Sequence, residues 1–161
     1  MAVQKPLVII AGQIQQIPAG DTLSAAASEV DVVAKLNVNV GAIVIGTPVY
    51  PSSATEVDKA GAAAAGTRKV LGLVQSASIA SGASGFIQTD GVLTATTGQW
   101  DAVAGTTGGL AFGTIYYLSA TAGLLTATAP SASGNYVCPV GIALSSTELE
   151  IDTDRLGTLL A

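Results

Sequence analysis

Short runs of apolar and β-branched residues, separated by turns that contain glycine, cover most of the chain. The pattern is most regular over 108–151, and there it predicts strands at 115–118, 124–128, 136–138 and 149–151. Valine, isoleucine, threonine and aromatic residues favour strands, and turn signals at intervals of about eight to twelve residues are typical of all-β sandwiches and barrels. We therefore predict an all-β fold, a compact antiparallel sandwich or barrel.

The rest of the chain shows the same pattern less regularly. A break near Asn39–Gly41 divides 30–45 into two predicted strands, and Asp90-Gly91 between two apolar runs predicts a hairpin, since such a turn needs a positive φ. A helix competes only over 23–36, where valines favour strand instead. The further predictions are a loop or single turn at 24–28, a surface loop at 60–66, and strands at 70–74, 86–88 and 92–95.

Two stretches of the chain resemble each other. The spacing Gly-Thr-x-x-Tyr occurs at 46–50 and at 113–117, and an apolar-Gly-apolar step follows each copy, at 71–73 and 140–142. We interpret this as an internal repeat of one β-meander unit, about 42–95 and 108–151. Two copies are too few for a solenoid. Chance similarity between stretches rich in glycine and threonine is the alternative.

The body of the fold is predicted at 23–152, between an N-terminal extended arm at 1–22 and a C-terminal tail at 153–161. A short apolar arm has too few partners of its own, so it must pair with the body, a neighbouring subunit or a scaffold. An ordinary first strand of the sheet is the alternative, and the leucines of the tail are expected to dock on a neighbour or to fray. The candidate partner-binding residues are Leu7, Val8, Ile9, Ile10, Ile14 and Ile17.

Composition indicates a protein whose surface is largely covered. Hydrophobic residues make up 49% of the chain and charged residues only 11%, against about 25% in an average domain. We infer that copies of the chain or another protein cover much of the surface. The formal net charge of −5 argues against direct nucleic-acid binding. Apolar runs are too short to span a membrane and no signal peptide is evident, so we expect a protein kept in the cytoplasm until assembly or lysis.

The candidate chemistry is sparse. The chain has no histidine, which excludes Ser-His-Asp and Cys-His arrangements and removes the commonest metal ligand. We interpret Cys138 as a small buried hydrophobe rather than a reactive thiol, and Trp100 as a core anchor rather than a sugar-stacking platform. The alternating carboxylates favour a solvated strand face over a glycosidase pair or a calcium site, and they are Glu56, Asp58, Glu148, Glu150, Asp152 and Asp154. No enzyme activity and no cofactor are expected.

Several segments are similar in style to one family of proteins. They are KPLVIIAGQIQQIPAGDTL, GTPVYPSSATEVDKA, KVLGLVQSASIASGASGFIQTDGVLTA and the run from Gly108 to Ile151. These segments resemble small virion structural proteins of tailed bacteriophages, namely capsid decoration (cement) proteins and modules of tail fibres. The resemblance implies a β-rich, usually trimeric protein that binds the major capsid protein on the outside of the head and stabilises it.

A short tail-fibre or baseplate component is the alternative that the resemblance leaves open. A full fibre needs a long shaft and an attachment domain, for which the chain is short. A carbohydrate-binding module or glycan hydrolase is less favoured, because aromatic residues make up only 4% of the chain. The family offers no catalytic residues to transfer to this sequence.

Overall fold

A computed structural model describes residues 31–153 with their side chains and, outside that range, the strands at 7–10, 13–16 and 158–159. In this part of the chain there is one helix, α1 at Thr97–Ala104. The strands are β1 Leu7–Ile10, β2 Gln13–Gln16, β3 Val32–Asn37, β4 Ile43–Val44, β5 Pro48–Pro51, β6 Glu56–Lys59, β7 Gly72–Val74, β8 Ser78–Ile79, β9 Ser84–Gln88, β10 Gly91–Thr94, β11 Ile115–Leu118, β12 Leu125–Thr126, β13 Tyr136–Val137, β14 Pro139–Ala143, β15 Glu148–Ile151 and β16 Thr158–Leu159. The predicted compact all-β fold is confirmed.

The first unit, which we define as β3, β5, β6, β7 and β9, is a closed barrel. Its ladders are antiparallel except at the seam, where Leu36 and Asn37 of β3 pair with β6 in parallel. The prediction of antiparallel pairing is therefore wrong at this one ladder, because β3 reaches β6 through the crossover that β4 and β5 provide. The barrel core consists of Ile43, Val49, Val57, Val74, Ile79 and Ile87.

The second unit, which we define as β10, β11, β12, β14 and β15, is an open sheet with the same strand order. Its order is β10-β15-β14-β11-β12, and the barrel reads β3-β9-β7-β5-β6 in the same direction. The registers agree as well. Val49 lies opposite Gly72 in the barrel, and Tyr116 lies opposite Gly141 in the sheet. The predicted resemblance between 46–50 and 113–117 therefore falls on equivalent strands, β5 and β11.

Each unit contains a backbone hydrogen bond at the same equivalent position. The Gly46 N–H donates to the carbonyl of Val74 at 2.9 Å, and the Gly113 N–H donates to the carbonyl of Ala143 at 2.8 Å. Both glycines have positive φ, 82° and 73°, a conformation that few other residues adopt. The unit as the structure has it also includes β3 and β10, so each copy begins before the stretch in which the sequences match.

The second unit stays open because its first strand ends early. The matched registers make Thr96 equivalent to Leu36, the residue at which β3 begins to pair with β6. At Thr96 the chain forms a capping box with Gln99 and turns into α1 instead. Gly105 ends this helix in the left-handed conformation, with φ 63°. The sheet therefore has no β10–β12 ladder, and its concave side accepts other residues.

The outside of the barrel fills that concave side. The larger core joins residues of the second unit, such as Tyr116 and Leu149, to Leu73 and Val70 of the first. Leu73 points out of the barrel while its neighbour Val74 points in, as the two-residue period of a strand requires. The two units therefore share one continuous apolar interface, and neither side of Gly72–Val74 is exposed to solvent.

The predicted hairpin at Asp90-Gly91 is wrong as a strand pair. Gly91 does have a positive φ of 78°, but β9 pairs with β3 and β7, whereas β10 pairs with β15. Both edges of β9 are occupied inside the barrel, so no edge is left for β10. The turn instead carries the chain from the first unit to the second.

The predicted surface loop at 60–66 is only partly a surface loop. Ala60 and Ala62 are fully buried in the larger core, whereas 63–66 is exposed. The Ala62 N–H donates to the carbonyl of Ser119 at 2.8 Å, and the Ala62 carbonyl accepts from the Tyr136 N–H at 2.9 Å. These bonds join Ala62 to Ser119, which follows β11, and to Tyr136 of β13. They hold the small residues Ala60 and Ala62 in the shared core. The break predicted between two strands near Asn39–Gly41 is confirmed, since β3 ends at Asn37 and β4 begins at Ile43.

The terminal strands form ladders of their own. β1 and β2 make an antiparallel hairpin in which Ile9 lies opposite Ile14. In the tail, β16 pairs with β13, and Leu159 lies opposite Tyr136. The tail therefore pairs with its own chain at 158–159. The loop or turn predicted at 24–28 lies outside the described residues.

Candidate partner-binding surface

The second unit presents an apolar face to solvent on the side away from the barrel. Ile115 and Ile142 lie opposite each other on β11 and β14 and are 46% and 36% exposed. Leu144, which follows β14, is 39% exposed, and Phe112, which precedes β11, is 81% exposed. We call Phe112, Ile115, Ile142 and Leu144 the outer face. It includes a shallow pocket of about 240 Å³ lined by Ile115, Pro139, Gly141, Ile142 and Asp152.

The positions in the first unit that are equivalent to Ile115 and Ile142 are buried, in contrast to the exposure of these two residues on the outer face. In the barrel, Pro48 lies opposite Leu73, as Ile115 lies opposite Ile142 in the sheet. Pro48 is buried and Leu73 is 0% exposed, because the concave side of the second unit covers them. The same position in the repeated unit therefore serves as an interface in one copy and is uncovered in the other.

Carboxylates border the outer face on one side. Glu150 and Asp152 are exposed, and Glu150 lies opposite Ile142 in the β14–β15 ladder. Glu148 is half-buried and accepts a hydrogen bond from the Ser145 hydroxyl at 3.1 Å. The alternating carboxylates of β15 thus lie along a solvated strand face, as the alternation predicts. An apolar surface with an acidic border selects partners that bring apolar side chains and positive charge.

Asp58 and Glu56 lie on the first unit, away from the outer face. Asp58 is half-buried on β6 and accepts from the Asn39 amide at 2.8 Å and from the Lys59 N–H at 2.7 Å. Glu56 lies on the same strand, and Asp154 lies outside the described residues. Over 31–153 and the terminal strands, no group of three or more acidic, cysteine or histidine residues is arranged to hold a metal ion.

A second, polar pocket lies where the two units meet. It is lined by Asp31, Thr89, Asp90, Ile151, Asp152 and Thr153. The Thr89 hydroxyl and N–H both donate to the carbonyl of Asp31, at 3.2 Å and 2.7 Å. Asp31, which precedes β3, and Thr153, which follows β15, therefore lie in the same pocket, beside Asp152.

One carboxylate organises a turn instead of a site. Asp101 accepts hydrogen bonds from the Gly109 N–H at 2.8 Å, the Thr106 hydroxyl at 2.8 Å and the Gly108 N–H at 3.1 Å. The Gly109 bond, followed by the Thr106 bond, holds the pKa of Asp101 below its ordinary value of 3.8. Three donors stabilise the charged form of the carboxylate and fasten the loop that follows α1.

The structure places the predicted arm residues in the N-terminal hairpin. Leu7, Val8, Ile9 and Ile10 form β1, and Ile14 lies in β2. Ile17 lies outside the described residues. The role of these residues in binding a partner stays a prediction.

The two single residues singled out by sequence lie where expected. Trp100 is fully buried in the larger core, and its indole N–H donates to the carbonyl of Thr147 at 3.0 Å. It contacts the first unit too, since a Cβ atom on Gly46 would lie 3.0 Å from its ring. Cys138 is fully buried between β13 and β14. Trp100 is therefore a core anchor and Cys138 a small core residue.

Sequence analysis did not identify the outer face. Ile115 and Ile142 occur in the stretch predicted as strands, but alternation assigns residues to one face or the other without saying which face is covered. The signal available was the repeat itself. Aligned on Gly-Thr-x-x-Tyr, Ile115 occupies the position of Pro48, and aligned on the apolar-Gly-apolar step, Ile142 occupies that of Leu73. An apolar residue therefore recurs where the barrel buries one.

Comparison with known proteins assigns no family to the chain. No protein-family model matches the sequence, and no curated protein matches it. In the described residues, no helix is both long and apolar enough to cross a membrane.

Proposed function

We propose that this protein is a bacteriophage capsid decoration (cement) protein, a non-enzymatic structural protein that binds the outer surface of the assembled head. The observation that carries the proposal is the outer face, an apolar interface position left uncovered on a chain with only 11% charged residues. A face of this kind serves contact between proteins. The resemblance to phage structural proteins adds the location, the virion surface.

The proposed partners are the chain itself, as a homotrimer, and the major capsid protein of the head. The N-terminal hairpin supplies strand edges for such contacts, with main-chain hydrogen bonds giving affinity and alternate side chains giving specificity. Leu7, Val8, Ile9, Ile10 and Ile14 are the residues proposed to act there, and Ile17 follows them in the sequence. Nucleic acid, membrane and cofactors have no part in the proposal.

A decoration protein stabilises a head by mass action. It binds the assembled lattice and not the dissociated subunits, so its binding free energy adds to the resistance of the lattice to heat and internal pressure. Each site contributes about 2.7 kcal/mol when the free protein is about a hundredfold above its Kd. Bridging between neighbouring capsomers increases the effect through effective concentration. Because the contact is mostly apolar burial and strand hydrogen bonding, the stabilisation should depend only weakly on salt.

Heads that lack this protein test the proposal. Bare heads should release DNA or break at a lower temperature than decorated heads, and purified protein should restore the difference at both low and high salt. Deletion of 1–17 should weaken attachment or assembly while circular dichroism still reports a folded body. If bare and decorated heads fail at the same temperature, the proposed cement function is wrong. Binding of the protein to host cells instead of heads would then favour a short tail-fibre or baseplate component.

A further inference from the structure

Among the described residues, the outer face is left largely exposed. Ile115, Ile142 and Leu144 keep between 36% and 46% of their surface, and Phe112 keeps 81%, although the N-terminal hairpin of the same chain is formed. In the first unit, Leu73, the residue equivalent to Ile142, is 0% exposed because it packs into the larger core with residues of the second unit. By its composition and position, the outer face is an interface that one copy of the chain leaves incomplete.

The N-terminal hairpin, formed by β1 and β2, lacks a neighbouring strand among the described residues. Among the described residues, β1 and β2 are hydrogen-bonded to each other and to no other strand. An isolated two-stranded hairpin is marginal in water and gains stability when it is laid against an apolar surface or another strand. β1 consists of four successive apolar residues, Leu7–Ile10. The hairpin therefore needs a surface of the kind that the outer face offers.

The position of Asp31, the first described residue after the hairpin, puts the hairpin and an outer face within reach of each other. Asp31 lines the polar pocket together with Asp152, and Asp152 also lines the apolar pocket of the outer face. The segment 17–30 connects β2 to Asp31 and can span at most about 50 Å. A hairpin on a tether of this length reaches the outer face of an adjacent copy whose body lies alongside.

Charge favours the same pairing. The outer face is bordered by the exposed carboxylates of Glu150 and Asp152. Residues 1–20 contain no acidic residue, and Lys5, which precedes β1, is the one charged side chain among them. An arm that is apolar and weakly basic complements a face that is apolar with an acidic border, and it avoids repulsion between like charges.

We propose that the N-terminal hairpin of one copy lies on the outer face of the second unit of a neighbouring copy. The contact is heterologous, since two different surfaces of the same chain meet, and repetition around a rotation axis closes it into a ring. In a closed ring every hairpin is seated and every outer face is covered. This inference deepens the partner part of the proposed function, but it is measured without heads, so failure of head binding and failure of self-association are separate results.

Sedimentation of the full chain at tens of micromolar, together with two substitutions, tests the proposal. The full chain should sediment as a ring. Ile142→Asp on the outer face and Ile9→Asp on the hairpin should each weaken self-association by at least about thirtyfold, the effect of losing one interface hot spot. Val40→Asp is the matched control, because Val40 is 98% exposed and lies on the first unit. It should leave the ring intact. Circular dichroism and Trp100 fluorescence check that each variant is folded.

Mixing the two damaged variants separates this arrangement from other modes of association. The Ile142→Asp chain keeps an intact hairpin, and the Ile9→Asp chain keeps an intact outer face. An equimolar mixture should therefore form a dimer with one sound junction, although each variant alone is a monomer. A full chain that is monomeric overturns the proposal, as does assembly that survives Ile142→Asp. A mixture that stays monomeric also overturns it, since the two surfaces would then not be partners.

Discussion

Leu73 and Ile142 are buried to different extents, so alanine substitutions at the two positions should lower the free energy of unfolding by different amounts. Their sequences alone do not predict this difference. The two residues occupy equivalent positions in equivalent strands, β7 and β14, each opposite the first residue of β5 or β11. Leu73 is 0% exposed at the contact between the units, and Ile142 is 36% exposed on the outer face. Replacement of each by alanine removes a similar number of carbon atoms from very different surroundings.

The expected cost follows from burial. Leu73→Ala removes about three buried carbon groups, which is about 2.4 kcal/mol of transfer free energy at about 0.8 kcal/mol per group. The cavity left between two packed sheets brings the total to about 4 kcal/mol, within the range of about 2–5 kcal/mol measured for such changes in other proteins. Ile142→Ala loses only the buried part of its surface and leaves no enclosed cavity. Its cost should be about 1.5 kcal/mol.

Urea unfolding measures the difference in the free energy of unfolding. The chain contains a single tryptophan, Trp100 in the shared core, so its fluorescence reports the loss of the contact between the units. Far-ultraviolet circular dichroism reports the strands in the same samples. The unfolding curves should be recorded at a protein concentration at which both variants have the same oligomeric state, because assembly adds to the apparent free energy of unfolding. If the two substitutions cost the same, the assignment of Leu73 to an interface between the units is wrong.

Three further predictions concern single residues. Gly72→Ala should lower the free energy of unfolding by about 3 kcal/mol, because its Cβ atom would collide with the carbonyl oxygen of Gln88. Gly66→Ala, with nothing within 4 Å of its Cβ atom, should change the free energy of unfolding by less than about 0.5 kcal/mol, as measured by urea unfolding. Asn37→Ala should cost about 3 kcal/mol by thermal melting, because the fully buried Asn37 amide donates to two carbonyls, those of Gly41 at 3.0 Å and Ile79 at 2.9 Å. Asp101→Asn should lower the urea midpoint at pH 7 but not at low pH. The folded-state pKa of Asp101 is lowered from the ordinary value of 3.8. The ionised carboxylate therefore stabilises the fold at pH values above 3.8. This stabilisation is lost as the pH falls from 3.8 towards the lower folded-state pKa. A midpoint difference that is the same at pH 7 and at pH 2 would contradict this assignment.

The local signals in the sequence determined much of the architecture. Short runs of apolar, β-branched and aromatic residues between turns predicted strands that the structure contains, among them β9 and β11, and alternation of apolar with charged residues predicted β15. The Gly-Thr-x-x-Tyr spacing marked the two strands, β5 and β11, that start with the same backbone hydrogen bonds. The large and isolated Trp100 was identified as a core anchor. These features follow from residue type and spacing alone, because a side chain's alternation and a glycine's positive φ are properties of a short segment.

The helix α1 was not predicted, although the sequence contains the signal for its start. Thr96 and Gln99 form the T-x-x-Q capping box that signals a helix start, and Trp100 and Val103 lie on the buried side of α1. The stretch is only eight residues long and follows a run of strands, so its helical signal was overlooked. Recognition of the capping box would also have explained why the second unit does not close.

Only the tertiary structure decided which strands pair and which faces are covered. Asp90-Gly91 is a sound turn sequence, yet β9 already has two neighbours in the barrel and β10 pairs with β15. Leu73 and Ile142 have the same local pattern, yet one is buried by the concave side of the second unit and the other is exposed. Strand pairing and burial depend on segments distant in sequence, and the alternation within a strand fixes two faces without fixing what lies against either of them.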